Sequence, residues 1–332
     1  MKTKLYNFSK NILIPLIPMV LWGSLFPFVK MGYEAFEIDP ASVPDIIVFA
    51  AMRFLICGVI ILAISAVKRD RLPEGQRGKT LTMILAAGLF SIVLHYAFTY
   101  ISLATTGGGK TAIIKQIGSL MYLCAAPLFI KEEKFSLPKL FGTLIGFAGI
   151  ICINLDGGGV SFTIGDFLLL LASFCSVISM IINKKSVTNC SPFLINGISQ
   201  SMGGAVLLVA GLAVGGSFPR LTLSGILVLT YICTASIIAY VLFNYLQRSC
   251  TNSKLLIIKF AEPLFACIFG AILLGEDIFK LQYLAAFLLI CGGIVLGNLH
   301  TGHRQSEKKP HIPDNGEKAA SGTAASDAET ET

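Results

Sequence analysis

Ile257-Ile258-Lys259 leads into an apolar run that ends at Glu276, and 144 residues earlier Ile113-Ile114-Lys115 leads into one that ends at Glu132. The same offset pairs Tyr96 with Tyr240, Lys110 with Lys254, Leu120 with Leu264, Phe135 with Phe279, Gly149 with Gly293 and Asn154 with Asn298. This reads as a duplicated unit, each copy carrying a lysine inside a long apolar segment. An ammonium near the centre of a membrane helix costs on the order of 3 kcal/mol or more, which makes each lysine a candidate functional group.

The composition places those segments in a bilayer. Hydrophobic residues make up 54% of the chain, charged residues only 14%, and the mean hydropathy is +0.76. A soluble chain of this length needs roughly a quarter of its residues charged to cover its surface. The apolar residues fall into ten blocks, at about 11–32, 45–67, 79–103, 108–130, 137–155, 165–184, 192–214, 221–247, 253–274 and 281–299. Each is close to the ~20 residues that cross a hydrocarbon core as a helix. Backbone groups facing lipid must be satisfied within the segment, and the continuous runs do not alternate as barrel strands do. The expectation is an all-α membrane protein of ten transmembrane helices.

Each copy holds five spans, an odd number, so the second copy enters the membrane from the opposite side. Inverted repeats of this kind place a substrate site near the midplane between the halves. The expected organisation is an N-terminal segment 1–10, a first five-helix repeat 11–155, a second 156–299, and a polar, disordered tail 300–332. Lys115 and Lys259 each fall about four residues before the middle of their span, ~6 Å at the helical rise per residue, on opposite sides of the midplane.

The net charge of +7 is distributed as topology, not as a nucleic-acid surface. With the N-terminus inside, nineteen of the 26 Lys and Arg lie on the cytoplasmic side, and only Lys110, Arg220 and Lys280 lie outside. Positive residues collect on the cytoplasmic side, which puts both termini in the cytoplasm and the chain in the cytoplasmic membrane. Lys30 snorkels to an interface; Arg53, Lys115 and Lys259 sit too deep to do so.

The nine cysteines are scattered and form no Cys-x-x-Cys pair, so they read as small buried hydrophobes. No metal and no cofactor is expected. Gly142-x-x-x-Gly146, Gly211-x-x-x-Gly215 and Gly293-x-x-x-Gly297 allow close helix contact. They admit a homodimer but point first to packing within one bundle. Gly107-Gly108-Gly109-Lys110-Thr111 lacks the earlier glycine of a phosphate-binding loop and reads as an outer turn.

Leu21-Trp22-Gly23-Ser24, Arg53-Phe54, Glu262-Pro263-Leu264-Phe265-Ala266 and Leu273-Leu274-Gly275-Glu276 together resemble the drug/metabolite transporter superfamily, specifically its EamA-like ten-helix exporters and exchangers. The likeness spans about 11–299. The first copy departs from it, with Ser119 in place of Pro263 and Lys131 in place of Gly275. The resemblance implies the fold and a transport role, not a substrate. A narrower likeness joins Lys259-Phe260-Ala261-Glu262-Pro263-Leu264-Phe265 to the sugar-phosphate translocator branch, where lysines of the fourth and ninth spans bind the anionic substrate.

Lys115 and Lys259 are therefore the first substrate-binding candidates. Glu262 lies three residues beyond Lys259 on the same helical face and can neutralise it; the matching position for Lys115 is Gly118. Glu262, the one carboxylate deep in a span, can also carry a coupling proton. Arg53 is a candidate charge partner or gate, and His95 a candidate proton sensor whose ordinary reading is a packed side chain. Trp22, Tyr96, Tyr100, Tyr240 and Asn244 are candidates for lining a polar cavity, although aromatic residues also anchor at interfaces. Glu132 and Glu276 sit at span ends, where capping or gating suits them. The expected function is secondary transport of a small organic solute bearing a carboxylate or phosphate, by alternating access. A proton-coupled exporter of drugs, amines or amino acids that uses Glu262 is the second reading. An enzyme or receptor-like binding protein is remote, since the sequence offers no paired catalytic acids, metal-ligand cluster or nucleophile–base set.

Overall fold

The computed structural model describes residues 2–103, 108–153, 163–186, 190–275 and 281–299, with side chains except at 2–11, 103, 108–113, 153, 281–283 and 298–299. Among the described residues every regular element is a helix. They are α1 (Lys2–Ala35), α2 (Val43–Val67), α3 (Arg77–Gly88), a π-helical segment (Leu89–Leu94), α4 (His95–Leu103), α5 (Gly108–Phe129) and α6 (Leu137–Ile153). There follow α7 (Ile164–Ser186), α8 (Pro192–Ala213), α9 (Leu223–Ser249), α10 (Asn252–Lys259), α11 (Ala261–Leu274) and α12 (Leu281–Leu299). Among the described residues seven stretches are long and apolar enough to cross a membrane: Ile12–Ala35, Val43–Val67, Arg77–Ser102, Ile164–Ser186, Pro192–Ala213, Leu223–Ser249 and Asn252–Leu274. Ile114–Phe129, Leu137–Cys152 and Leu284–Gly297 are shorter apolar helices. The chain is a multi-pass helical membrane protein.

Local chemistry sets many of the helix ends. At the start of α2, Pro44 occupies the first turn and the Ser42 hydroxyl donates to Asp45 Oδ2 at 2.5 Å. Thr222 accepts the Gly225 N–H at 3.0 Å to open α9. α11 closes on Gly275 at φ 69°, a left-handed conformation that glycine adopts without a Cβ penalty. The tail at 300–332, Glu276 and Lys280 lie outside the described residues. So does Gly107, while Gly108–Lys110 belong to the first turn of α5 and not to a turn.

Two of the apolar blocks are not single α-helices. The block at 253–274 breaks at Phe260, which separates α10 from α11. Pro263 has no N–H to give the Lys259 carbonyl four residues back, and Phe260 N–H instead bonds Ile257 O at 3.3 Å in a tighter turn. The block at 79–103 contains the π segment, which rotates everything beyond it relative to α3. Hydroxyls from neighbouring helices engage the carbonyls just ahead of it: Ser199 donates to Ile84 O at 3.1 Å and Ser179 to Ala87 O at 3.0 Å.

The packing is dominated by two pairs, α2 against α8 and α6 against α12. α1 packs on α9, α10 and α11, while α7 packs on α3, α4 and α5. Glycine allows the two dominant contacts. A Cβ on Gly58 would come within 2.3 Å of Ser201 N, and one on Gly142 within 2.7 Å of Gly293 O. Gly142, Gly293 and Gly297 thus meet one another inside this chain, as a small-residue pair within one bundle does. Exposed side chains such as Leu128, Ile164, Leu223 and Ile272 give the outer surface the apolar character a bilayer requires. The interior clusters gather around Phe260 and Leu255, around Phe36 and Phe49, and around Phe54 and Ile92.

Candidate functional site

The break at Phe260 positions the charges. Lys259 is the last residue of α10 and Glu262 lies in the first turn of α11. Lys259 Nζ stands 4.0 Å from Glu262 Oε2, the outer limit of an ion pair and too long for a hydrogen bond. That oxygen is buried and makes no hydrogen bond among the described residues. The pair is only partly enclosed, with the lysine side chain 33% exposed and the glutamate 16%.

α1 crosses this point closely. A Cβ on Gly23 would lie 2.9 Å from the Glu262 carbonyl oxygen and 2.5 Å from Phe265 Cβ, so α1 approaches α11 with no side chain between them. The preceding residue, Trp22, then reaches Lys259: the ammonium lies over the indole, 5.3 Å from a ring centroid. The indole packs edge-on against Tyr240 at 5.3 Å and against Phe243 at 5.1 Å, and its Nε1 has no hydrogen-bond partner among the described residues. Such a cation over an indole contributes about 0.5–2 kcal/mol depending on its desolvation.

Tyr240 leads to the other half of the sequence. Its hydroxyl lies 3.4 Å from that of Tyr96, the residue 144 positions earlier. Tyr96 packs against Phe54 at 4.8 Å, Tyr100 at 5.7 Å and His95 at 5.1 Å. Arg53, 7% exposed, places its guanidinium 4.5 Å from the Phe54 ring and 5.9 Å from the Tyr96 ring. Lys115, half-buried on α5, is an electrostatic neighbour of Tyr96, Glu262, Lys259 and Arg53. Its carbonyl accepts a 3.5 Å bond from the Ser173 hydroxyl. Asn244 is buried one helical turn beyond Tyr240.

Of the residues singled out from the sequence, Lys259, Glu262, Trp22, Tyr240, Tyr96, Tyr100 and Arg53 thus form one connected cluster, with Lys115 within electrostatic reach of it. His95 engages the Ala172 carbonyl through Nδ1 at 2.9 Å, a packed histidine tied to α7. The cluster holds three cations and one carboxylate. It can bind a negatively charged group, and Glu262 can accept a proton. Two surface clefts lie elsewhere. One of about 520 Å³ runs between α3 and α7 beside Lys79 and Lys185, the other beside Glu37 and Arg220, and neither is lined by the lysines of the cluster.

One polar site was missed from the sequence. Glu132 is exposed, and its neighbour Glu133 is buried instead. The Glu133 carboxylate accepts from the Asn252 and Ser253 N–H groups and from the Ser253 hydroxyl at 2.5 Å, with Lys139 Nζ at 4.0 Å. It caps the N-terminus of α10, where free N–H groups and the helix dipole favour an anion. The Thr251-Asn252-Ser253 start of the helix was the available signal.

The EamA-like transporter family matches residues 9–155 and again 163–298. The "Uncharacterized inner membrane transporter YedA" of Escherichia coli (strain K12) is 26% identical over 278 residues, covering 82% of this chain and 85% of that protein. The "WAT1-related protein At3g02690, chloroplastic" of Arabidopsis thaliana is 24% identical over 301 residues, covering 86% and 69%. A solved structure described as "Crystal structure of protein" superimposes with a TM-score of 0.71 at 18% identity, covering 88% of this chain and 97% of that one. That likeness concerns the fold.

Proposed function

The chain belongs to the EamA-like transporter family and is a membrane transporter; from that premise we propose that it is a secondary transporter of a small organic anion. The observation that carries this reading is the excess of cations over carboxylates at the centre of the cluster. Lys115 and Arg53 have no ion pair among the described residues, and Lys259 shares the only carboxylate loosely. A charge kept in the membrane interior without a partner is costly, and a bound carboxylate or phosphate would supply one.

In this reading the chain has ten spans arranged as two inverted five-helix repeats, 11–155 and 156–299, with both termini cytoplasmic. The paired packing supports it: α1 on α9, α10 and α11 has its counterpart in α7 on α3, α4 and α5. Tyr96 and Tyr240, equivalent under the 144-residue offset, touch each other, as residues on a pseudo-two-fold axis do. A fixed central site and two halves that rock around it then give alternating access.

A second reading has its own observation. Glu262 Oε2 is buried without a hydrogen bond, which suits a carboxylate that takes up a proton in a coupled amine or amino-acid export cycle. Flux into proteoliposomes separates the two. Anion transport by the parent, reduced at least tenfold by Lys115→Met and little by Glu262→Gln, is the expected result. Transport of cations alone, lost in Glu262→Gln and intact in Lys115→Met, would replace the first reading with the second.

A further inference from the structure

Arg53 is the group in this cluster whose presence the lysine site does not account for. It lies in the second span, is 7% exposed, and makes no ion pair or side-chain hydrogen bond among the described residues; its Nε is buried and unpartnered. Its guanidinium lies over the rings of Phe54 and Tyr96, with Tyr100 and Tyr240 also within electrostatic reach. A desolvated cation–π contact contributes about 2 kcal/mol. Removing a cation from water costs several kcal/mol even after relaxation, so the rings do not offset the burial of the guanidinium. Among the described residues no side chain supplies it with an ion pair.

The position of Arg53 is informative. Contacts run without a gap from Arg53 to Tyr96, from Tyr96 to Tyr240, from Tyr240 to Trp22 and from Trp22 to Lys259. The guanidinium and the Lys259 ammonium are therefore joined through one run of aromatic side chains. Counted together, Arg53, Lys115 and Lys259 exceed Glu262 by two positive charges. A planar guanidinium also offers paired donors that match a carboxylate or phosphate, which a lysine does not.

We propose that Arg53 is a second anion subsite, and that the transported solute is a small organic anion with acidic groups at its two ends. One group lies between Lys115 and Lys259, the other meets Arg53, and the body of the molecule lies along Trp22, Tyr240 and Tyr96. This rests on the anion-site reading above and narrows it to dicarboxylates and phosphorylated carboxylates. Arg53 is the residue that separates them from their singly charged relatives.

Trp22 is the only tryptophan in the chain, so its emission reports on this site directly. The test titrates detergent-purified protein with matched pairs: succinate against succinamate, glutarate against glutaramate, and 3-phosphoglycerate against glycerate. In the parent at least one solute with two acidic groups is expected to bind tenfold or more tighter than its singly charged partner. Arg53→Gln is expected to bring that ratio close to one while leaving the affinity for the singly charged partner within about threefold. That retained affinity also shows that the variant is folded. Arg53→Lys, which keeps the charge, is expected to keep part of the preference. Parent protein that binds both members of every pair alike would overturn the proposal, as would an Arg53→Gln ratio equal to the parent's. If Lys115→Met weakens both members of a pair while Arg53→Gln leaves the ratio unchanged, only this inference falls. If no anion alters the emission and Lys115→Met changes nothing, the anion-site reading falls with it.

Discussion

The fourth and ninth apolar blocks match at an offset of 144 residues and are built differently. α5 runs unbroken through Lys115, with Gly118 and Ser119 following. The matching stretch of the second half is split at Phe260, with Glu262 and Pro263 in those two places. Pro263 cannot bond the Lys259 carbonyl, whereas the Ser119 N–H leaves the helix intact at Lys115. The same two substitutions decide the charge: Lys259 has a carboxylate at 4.0 Å and Lys115 has none of its own. Two lysines equivalent in sequence thus have different surroundings: one is paired with a carboxylate at a helix break, and the other stands on a continuous helix.

That contrast is sharpest where the proline is exchanged. Ser119→Pro should cost about 3 kcal/mol, since it removes a bond in the interior of a continuous helix and crowds the Lys115 carbonyl. The reciprocal Pro263→Ala should be tolerated, raise the melting temperature and slow transport, because a healed helix holds Lys259 and Glu262 on one rigid face. Melting curves and proteoliposome flux check both. Pro263→Ala transporting at the parental rate would show that the break is incidental to function.

A smaller effect is expected from the contact that joins the two regions. Glu133 follows the end of α5 and caps the start of α10 through Asn252 and Ser253. Glu133→Gln should lower stability by about 1.5–3 kcal/mol, the usual contribution of hydrogen bonds to a charged group. Glu132→Gln, at an exposed position, should change the melting temperature hardly at all. Equal effects of the two variants would remove the assigned cap.

Much of this arrangement was legible in the sequence, and the reasons are specific. The 144-residue offset singled out Lys115, Lys259, Tyr96 and Tyr240 because a duplicated polar residue in an apolar run stands out against its background. Lys259 and Glu262 were readable as a pair because three residues on a helix share a face. The π segment at Leu89–Leu94 was not readable: no proline marks it, and the hydroxyls beside it come from Ser179 and Ser199, distant in sequence. Glu132 was favoured over Glu133 because it aligns with Glu276, yet burial depends on which of two adjacent carboxylates faces the start of α10. The pairing of α6 with α12 likewise became visible only when Gly142 and Gly293 were seen to meet.

The measurement that tests the difference between the two lysines most directly is ligand-induced thermal stabilisation of three proteins: the parent, Lys115→Met, and Lys259→Met combined with Glu262→Gln. A ligand that binds only the folded state stabilises it by about 2.7 kcal/mol at a concentration a hundred times its dissociation constant. With a dicarboxylate or phosphorylated carboxylate as ligand, the account predicts that the parent is stabilised, that Lys115→Met loses the shift, and that the double variant keeps a reduced one. A full shift in Lys115→Met, with none in the double variant, would contradict the account and place the anion at Lys259 alone.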